Sequence, residues 1–160
     1  MIRYIDNALL DEVSAEAKLS PRGRKNRNFH ARDDHPANRL LNAVEPGSYV
    51  RPHRHLDPNK DETMVVLRGR LGLVEFDATG VVLRTAVLAA GSSACGVDIA
   101  HGTWHSVFAL EPGTVFLEAK AGPYRPLRDD ELAPWAPPEG DPRSAVYLEA
   151  LALTVAPDAR

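Results

Sequence analysis

The chain has 160 residues, of which 44% are hydrophobic and 26% charged, and its formal net charge is -3. That length suits one domain around one core, and the charge excludes a generally basic nucleic-acid-binding protein. No apolar run approaches the roughly 20 residues needed to cross a bilayer, the N-terminus lacks a signal-peptide pattern, and the single Cys95 excludes an intrachain disulfide or a cysteine-based zinc site. A cytoplasmic domain spanning 1–160 is expected, with Cys95 as a small buried hydrophobe.

Residues 6–18 read as a helix. Ile5, Leu9, Val13 and Ala17 recur every four residues with Leu10 beside them, giving one apolar stripe. Asp6 is suited to the N-cap, and Pro21 and Gly23 lie beyond the end. Segment 21–39 is polar and reads as irregular, with Arg22, Arg24, Lys25 and Arg27 clustered. Short β-runs then alternate with turn residues, and strands are predicted over 39–44, 48–55, 62–68, 71–76, 81–88, 93–97, 104–110 and 114–120. Pro46-Gly47, Gly69-Arg70, Thr79-Gly80, Ala90-Gly91 and Pro112-Gly113 supply the breaks. This spacing points to a sandwich or barrel rather than to βαβ units. Beyond 122, the prolines predict a tail wrapped in extended conformation with Trp135 as an apolar anchor. Segment 144–155 has the Ala and Leu content of a helix, although its nearly continuous apolar run also suits a strand. The chain thus divides into an N-terminal helix and basic loop (1–38), a barrel (39–121) and a Pro-rich tail (122–160).

The chemistry concentrates in four residues. Alternate residues of a strand share a face, so His53 and His55 can grip one ion together. Glu62 opens the adjoining strand after loop 56–61, and His105 lies on a later one. Imidazole nitrogen and carboxylate oxygen suit one divalent transition metal per chain: zinc, iron, manganese or nickel. In an octahedral ion, four protein ligands leave two positions for water or substrate. A lone His-x-His is commonly an ordinary histidine pair. The combination with Gly47, Gly69 and Gly102-Thr103-Trp104-His105 is what points to a metal. His30, His35 and His101 fit no ligand spacing.

The same parity puts Tyr49 and Arg51 on the face of His53 and His55. A buried arginine needs a polar or anionic partner, and its fork suits carboxylate or phosphate. Arg51 therefore either anchors an anionic part of a substrate or pairs with an internal acid such as Glu118. On 114–120, Phe116, Glu118 and Lys120 alternate with Val115, Leu117 and Ala119, and one strand does not decide which set is internal. Inside, Lys120 joins Arg51 and Glu118 is a candidate acid or base; outside, both are solvated, which is the default. Tyr124, after Gly122-Pro123, is placed to overhang the pocket. The basic cluster at 22–27 either grips a phosphate, nucleotide or neighbouring subunit or is solvated loop charge, the commoner role. It lacks interleaved aromatics for stacking on bases.

The stretch Gly47 to Gly69 resembles the first cupin motif: Gly, five residues, His-x-His, a spacer, Glu, six residues, Gly. Ala100-His101-Gly102-Thr103-Trp104-His105 resembles the second, with Ala100 in place of the usual proline and Ala109 in place of the usual asparagine. Over nearly the whole chain, Arg24-Lys25-Asn26-Arg27-Asn28-Phe29-His30, Arg39-Leu40-Leu41-Asn42-Ala43, Tyr49-Val50-Arg51-Pro52-His53-Arg54-His55, Lys120-Ala121-Gly122-Pro123-Tyr124 and Trp135-Ala136-Pro137-Pro138-Glu139-Gly140 resemble the WbuC family of cupin-fold metalloproteins. The resemblance implies a mainly β fold: a double-stranded β-helix (jelly-roll barrel) with an N-terminal helix and an irregular, partly helical tail. It also implies a bound metal and a link to bacterial surface-polysaccharide (O-antigen or lipopolysaccharide) synthesis. Arg27, Asn28 and His30 match the family's segment and are candidates for the mouth of the site.

The expected function is isomerase- or epimerase-type chemistry on a sugar or nucleotide-sugar. An iron-dependent dioxygenase and a non-catalytic carbohydrate-binding or regulatory module are the alternatives. The expected partner is a small carbohydrate or anionic ligand, with no nucleic acid and no membrane. Strands such as 62–68, apolar on both faces, suit a homodimer.

Overall fold

Asp6 opens the first helix. In the structure, a computed structural model that describes residues 2–155, its carboxylate accepts a hydrogen bond from the Leu9 N–H at 3.0 Å. This satisfies one of the free donors at the start of helix α1 (Asn7–Leu19). The buried stripe is Leu10, Val13, Ser14 and Ala17, of which Leu10, Val13 and Ala17 pack on Leu41, Ala43 and Val115 of the barrel. Ile5, expected in that stripe, precedes the cap and is 45% exposed.

Eight strands follow: β1 (Arg24–Asn28), β2 (Ala37–Val44), β3 (Glu62–Arg68), β4 (Arg70–Phe76), β5 (Val82–Ala89), β6 (Gly96–Ile99), β7 (Trp104–Ala109) and β8 (Thr114–Ala121). They form a five-stranded sheet in the order β1-β2-β8-β3-β6 and a three-stranded sheet in the order β5-β4-β7, with antiparallel pairing throughout. Between the sheets, Val44, Met64, Val66 and Phe116 of the first meet Leu71, Leu88, Val107 and Ala109 of the second. Two twisted antiparallel sheets sharing one apolar interior make a jelly-roll barrel, in keeping with the sandwich or barrel that the strand pattern predicts and with the form that the resemblance implies. Helix α1 covers the outer face of the larger sheet, so β2 and β8 are buried on both sides. The apolar faces of β3 are covered within the chain too: Met64 and Val66 point inward and Leu67 packs towards α1.

Three expectations are corrected. Segment 21–39 contains β1, in register with β2 from Arg24↔Val44 to Asn28↔Leu40; its side chains are polar on both faces, so it carries no hydrophobic alternation. Segment 48–55 is not a regular strand. Its β pairing is limited to the isolated bridges His53↔His105 and His53↔Leu132, and Pro52 has no N–H to extend a ladder. Cys95 is exposed rather than buried. It lies in the connection before β6, where its carbonyl accepts from the Val66 N–H at 2.8 Å.

The tail returns across the barrel. A single 3-10 turn (Asp129–Glu131) leads to Ala133, whose N–H donates to the Pro52 carbonyl at 2.9 Å. Trp135 lies against Phe76 at 4.9 Å and Trp104 at 6.1 Å between ring centroids. Segment 144–155 is helical: α2 (Arg143–Thr154) sets Leu148 and Leu151 against Tyr49, Phe76, Trp104 and Phe108. The final stretch of the expected tail, 156–160, lies outside the described residues. Among the described residues, no helix is long and apolar enough to cross a membrane.

The turn between β3 and β4 shows why the motif glycine at 69 is a glycine. Gly69 has φ +75°, and a Cβ there would sit 2.8 Å from Thr114 Cα. Gly47 also has positive φ, +87°, but open space around it. Left-handed backbone costs an ordinary residue about 1–2 kcal/mol. Gly47→Ala is therefore expected to lose about that much stability, and Gly69→Ala more than about 2 kcal/mol because the β8 backbone must also move. Urea unfolding midpoints of the two variants measure the difference.

Candidate metal centre

The His53–His105 bridge is closed by two main-chain hydrogen bonds, each N–H donating to the other residue's carbonyl at 2.9 Å. It brings the two imidazoles together, with ring centroids 4.6 Å apart and the planes tilted by 55°. Two residues on, the His55 carbonyl accepts from Gly102 N–H at 2.7 Å, which ties the His-x-His segment to the turn carrying the second motif. Glu62 enters from the first position of β3. The coordinating atoms of His53, His55 and Glu62 all lie within 4.8 Å of one another. Nε2 of His55 and of His105 lie 3.4 and 3.3 Å from Glu62 Oε2.

Second contacts set the tautomers. Nδ1 of His53 donates to the Arg51 carbonyl at 3.0 Å, and Nδ1 of His105 donates to the Thr103 carbonyl at 2.9 Å. Each ring therefore carries its proton on Nδ1 and presents Nε2 as a lone pair, the form a metal ligand requires. Burial, reinforced by the adjacent His105, pushes His53 down to about 3, so it stays neutral. Burial alone would raise the Glu62 carboxyl, but the Lys120 ammonium 3.2 Å away holds it below the usual carboxylate range.

His55 Nε2, His105 Nε2 and Glu62 Oε2 are all buried without a hydrogen-bond partner. His105 Nε2 and an ionised Glu62, both acceptors, repel each other in a poorly solvated space unless a cation lies between them. The donor set, its spacing and these orphaned atoms fit a divalent ion held by His53, His55, Glu62 and His105.

Glu118 and Lys120 face this site. Their default reading as solvated charges is overturned, because α1 covers the other face of β8 and turns the charged set inward. Glu118 is 7% exposed. Lys120 Nζ donates to Glu118 Oε1 at 2.6 Å and to Glu62 Oε1 at 3.2 Å, and Asn42 Nδ2 donates to Glu118 Oε2 at 2.7 Å. Burial and the charge of Glu62 push Glu118 up to about 7. Burial would lower Lys120, but Glu118 and Glu62 together raise it. The cavity beside the ligands measures 260 Å³ and is bounded by His53, His55, Lys120 and Tyr124, with Lys60 and Arg125. A neighbouring hollow of 300 Å³ is lined by Lys60, Arg125 and Arg128 together with Asp57 and Glu131, and Arg128 is paired with Asp130, so Lys60 and Arg125 supply the positive charge at the mouth.

Other candidates lie elsewhere. Arg51 donates from Nε and Nη2 to the Ala133 carbonyl, at 3.1 and 2.6 Å, and lines a separate cavity with Trp135 and Tyr147. It neither reaches the metal ligands nor pairs with Glu118. Tyr49 donates its hydroxyl to the Pro137 carbonyl at 2.9 Å and is part of the core. The strand parity that grouped both with the histidines fails because 48–55 leaves the ladder. Arg27 turns away from the site to Glu12 and Glu16 of α1, and Arg22 and Arg24 bind Glu139, so the basic cluster is largely neutralised within the chain. His101 pairs with Asp61 at 2.8 Å. Asn28 and His30 line a chamber that also contains Glu118, Lys120 and Tyr124. Lys60, Arg125 and Asn38, also near the site, were not singled out from sequence. Lys60 had a usable signal, standing two residues before Glu62; the other two had none.

Among solved structures, the chain is similar to KdgF from Halomonas sp., with a TM-score of 0.50 and 20% identity over 70% of this chain and 87% of that one. A conserved protein of unknown function from Streptococcus pyogenes matches with a TM-score of 0.51 and 12% identity over 78% and 91%. A cupin-2 domain containing protein from Shewanella frigidimarina matches with a TM-score of 0.46 and 22% identity over 61% and 80%. At these identities the likeness is one of fold, the antiparallel β-barrel shared with KdgF and the Streptococcus pyogenes protein. No curated protein matches the sequence significantly. The family model described as a domain of unknown function, DUF6016, matches residues 5–88. That match covers more than half of the sequence, and the chain belongs to the DUF6016 family.

Proposed function

We propose that this protein is a metal-dependent enzyme that moves a proton on a sugar or nucleotide-sugar, in the manner of an isomerase or epimerase. Its likeness to WbuC motifs supports a place in bacterial surface-polysaccharide synthesis. The cytoplasmic setting and homodimeric state expected from sequence belong to the same proposal. One observation carries the metal-dependent reading: three buried, unpartnered acceptor atoms on His55, Glu62 and His105 converge beside His53.

A bound divalent ion would polarise a substrate carbonyl or hydroxyl. The chain's own groups supply the rest. Glu118, held up near 7, exchanges a proton at its carboxyl oxygen near neutral pH. Lys120 stays charged and holds the Glu118 and Glu62 carboxyl groups in place beside the site. Arg125 and Lys60 at the mouth draw in an anionic group such as a carboxylate or phosphate.

The test is elemental analysis of protein purified under controlled metal supply, followed by product analysis with nucleotide-sugars and sugar acids, with and without oxygen. Turnover to a product of unchanged mass that continues without oxygen supports the proposal. A reaction that stops without oxygen indicates an oxygenase, and binding without turnover indicates a module.

A further inference from the structure

The larger sheet carries a polar row that does not stop at the metal ligands. In the register of β2, β8 and β3, Asn38 lies opposite Lys120, and Lys120 opposite Glu62. The next row on the same face places Asn28 opposite Leu40 and Leu40 opposite Glu118. Residues directly opposite in antiparallel strands share a face. The face that presents Glu62 to the metal therefore continues sideways through Lys120 to Asn38, two strand spacings or about 10 Å away. A chamber of 280 Å³ opens over these rows, and Lys120 and Tyr124 line both it and the metal cavity.

The chamber's chemistry is specific. Asn38 is 3% exposed, and its Oδ1 finds no hydrogen-bond partner within the chain, a costly arrangement for a buried amide. His30 is buried with Nδ1 committed to the main chain of Arg39, so Nε2 is the atom left for a ligand. Asn28, Asn38 and Tyr124 each both donate and accept. Two carboxyl groups, Asp33 and Glu118, face one ammonium, Lys120, whose charge is already shared between Glu118 and Glu62. A phosphate or carboxylate finds no free cation here, and Leu40 alone offers little to an apolar group.

We propose that this chamber is a subsite for a neutral polyhydroxylated ring, a single hexose unit, that holds the hydroxyl-bearing part of the ligand while its reacting end lies at His53, His55, Glu62 and His105. The inference rests on the carbohydrate reading above and narrows it. The chamber is smaller than the about 300–1,000 Å³ usual for ligand sites, which suits one sugar ring and leaves the nucleotide of a nucleotide-sugar to the basic mouth.

Saturation-transfer NMR on the full chain tests this with free glucose, galactose, mannose and fucose at millimolar concentration, before and after chelation. At least one neutral hexose is expected to receive saturation at its ring protons in both states. Asn28→Leu and Asn38→Ala are each expected to weaken that binding about tenfold, the worth of a well-made hydrogen bond. Asn28 is exposed on β1, so its variant retains the fold should the buried Asn38 change disturb it. Absence of any hexose signal, or affinity unchanged in Asn28→Leu, overturns the proposal. Protein that takes up no metal defeats the metal-dependent reading alone, because the hexose signal and its loss in the variant are scored without metal.

Discussion

His105→Ala is expected to leave protein purified under ample zinc or manganese nearly metal-free, while the fold persists. Loss of an outer partner of a metal ligand typically costs about 10- to 100-fold in affinity; loss of a ligand should cost at least the upper end of that range. His105 is 2% exposed, and its main-chain bridge to His53 does not depend on the side chain, so the frame that presents His53 and His55 survives. Glu62→Gln should behave similarly, since it removes the only carboxylate among the ligands. Arg51→Ala is the informative control. With its guanidinium bound to the Ala133 carbonyl, the variant should keep its full metal content and lose only stability. Elemental analysis of the three variants decides the ligand set: metal retained by His105→Ala, or lost from Arg51→Ala, would refute it.

What the sequence made legible, and what it hid, follows from how far each signal is local. Strand 62–68 was read with its observed bounds because a motif carboxylate and a positive-φ glycine bracket it. The candidate metal centre was legible because a strand start, a glycine turn and the His-x-His spacing are properties of a few adjacent residues. β1 was hidden, since its Arg, Lys and Asn side chains show no apolar face and only pairing with β2 makes it a strand. The orientation of β8 was open because both of its alternating sets are buried, one by the barrel and one by α1, and only the docking of that helix settles which faces the site. The roles of Arg51 and Tyr49 were misread for the opposite reason. Strand parity is a local rule, and the segment that carries His53 and His55 leaves the ladder to bring them beside Glu62. Asn38 had no motif at all; its significance lies in a cross-strand register that brings it into line with Glu62.

Lys120→Met is expected to make the fold depend on both pH and metal. The ammonium is the one cation between two buried carboxyl groups, and removing one partner of a buried ionic set typically costs about 3–5 kcal/mol. The loss should be greatest in chelated protein at pH 8, where Glu62 and Glu118 both tend to ionise without a counter-charge. The sign with pH follows from Glu118. Its folded carboxyl titrates near 7, against an ordinary 4.5, because burial and Glu62 oppose its ionisation. Between those values the folded chain holds a proton that the unfolded chain has released, so this group's contribution is full below about 4.5 and is lost as pH rises through 7. Without Lys120 the carboxyl moves higher still, and the variant should recover much of its stability by pH 5. Saturating metal should recover part of it at pH 8, since a cation at Glu62 replaces the missing positive charge and binds only the folded chain. Urea midpoints at pH 5 and 8, with and without metal, give the result. A variant within about 1 kcal/mol of the parent in all four conditions would mean that Lys120 sits in solvent rather than between the two acids.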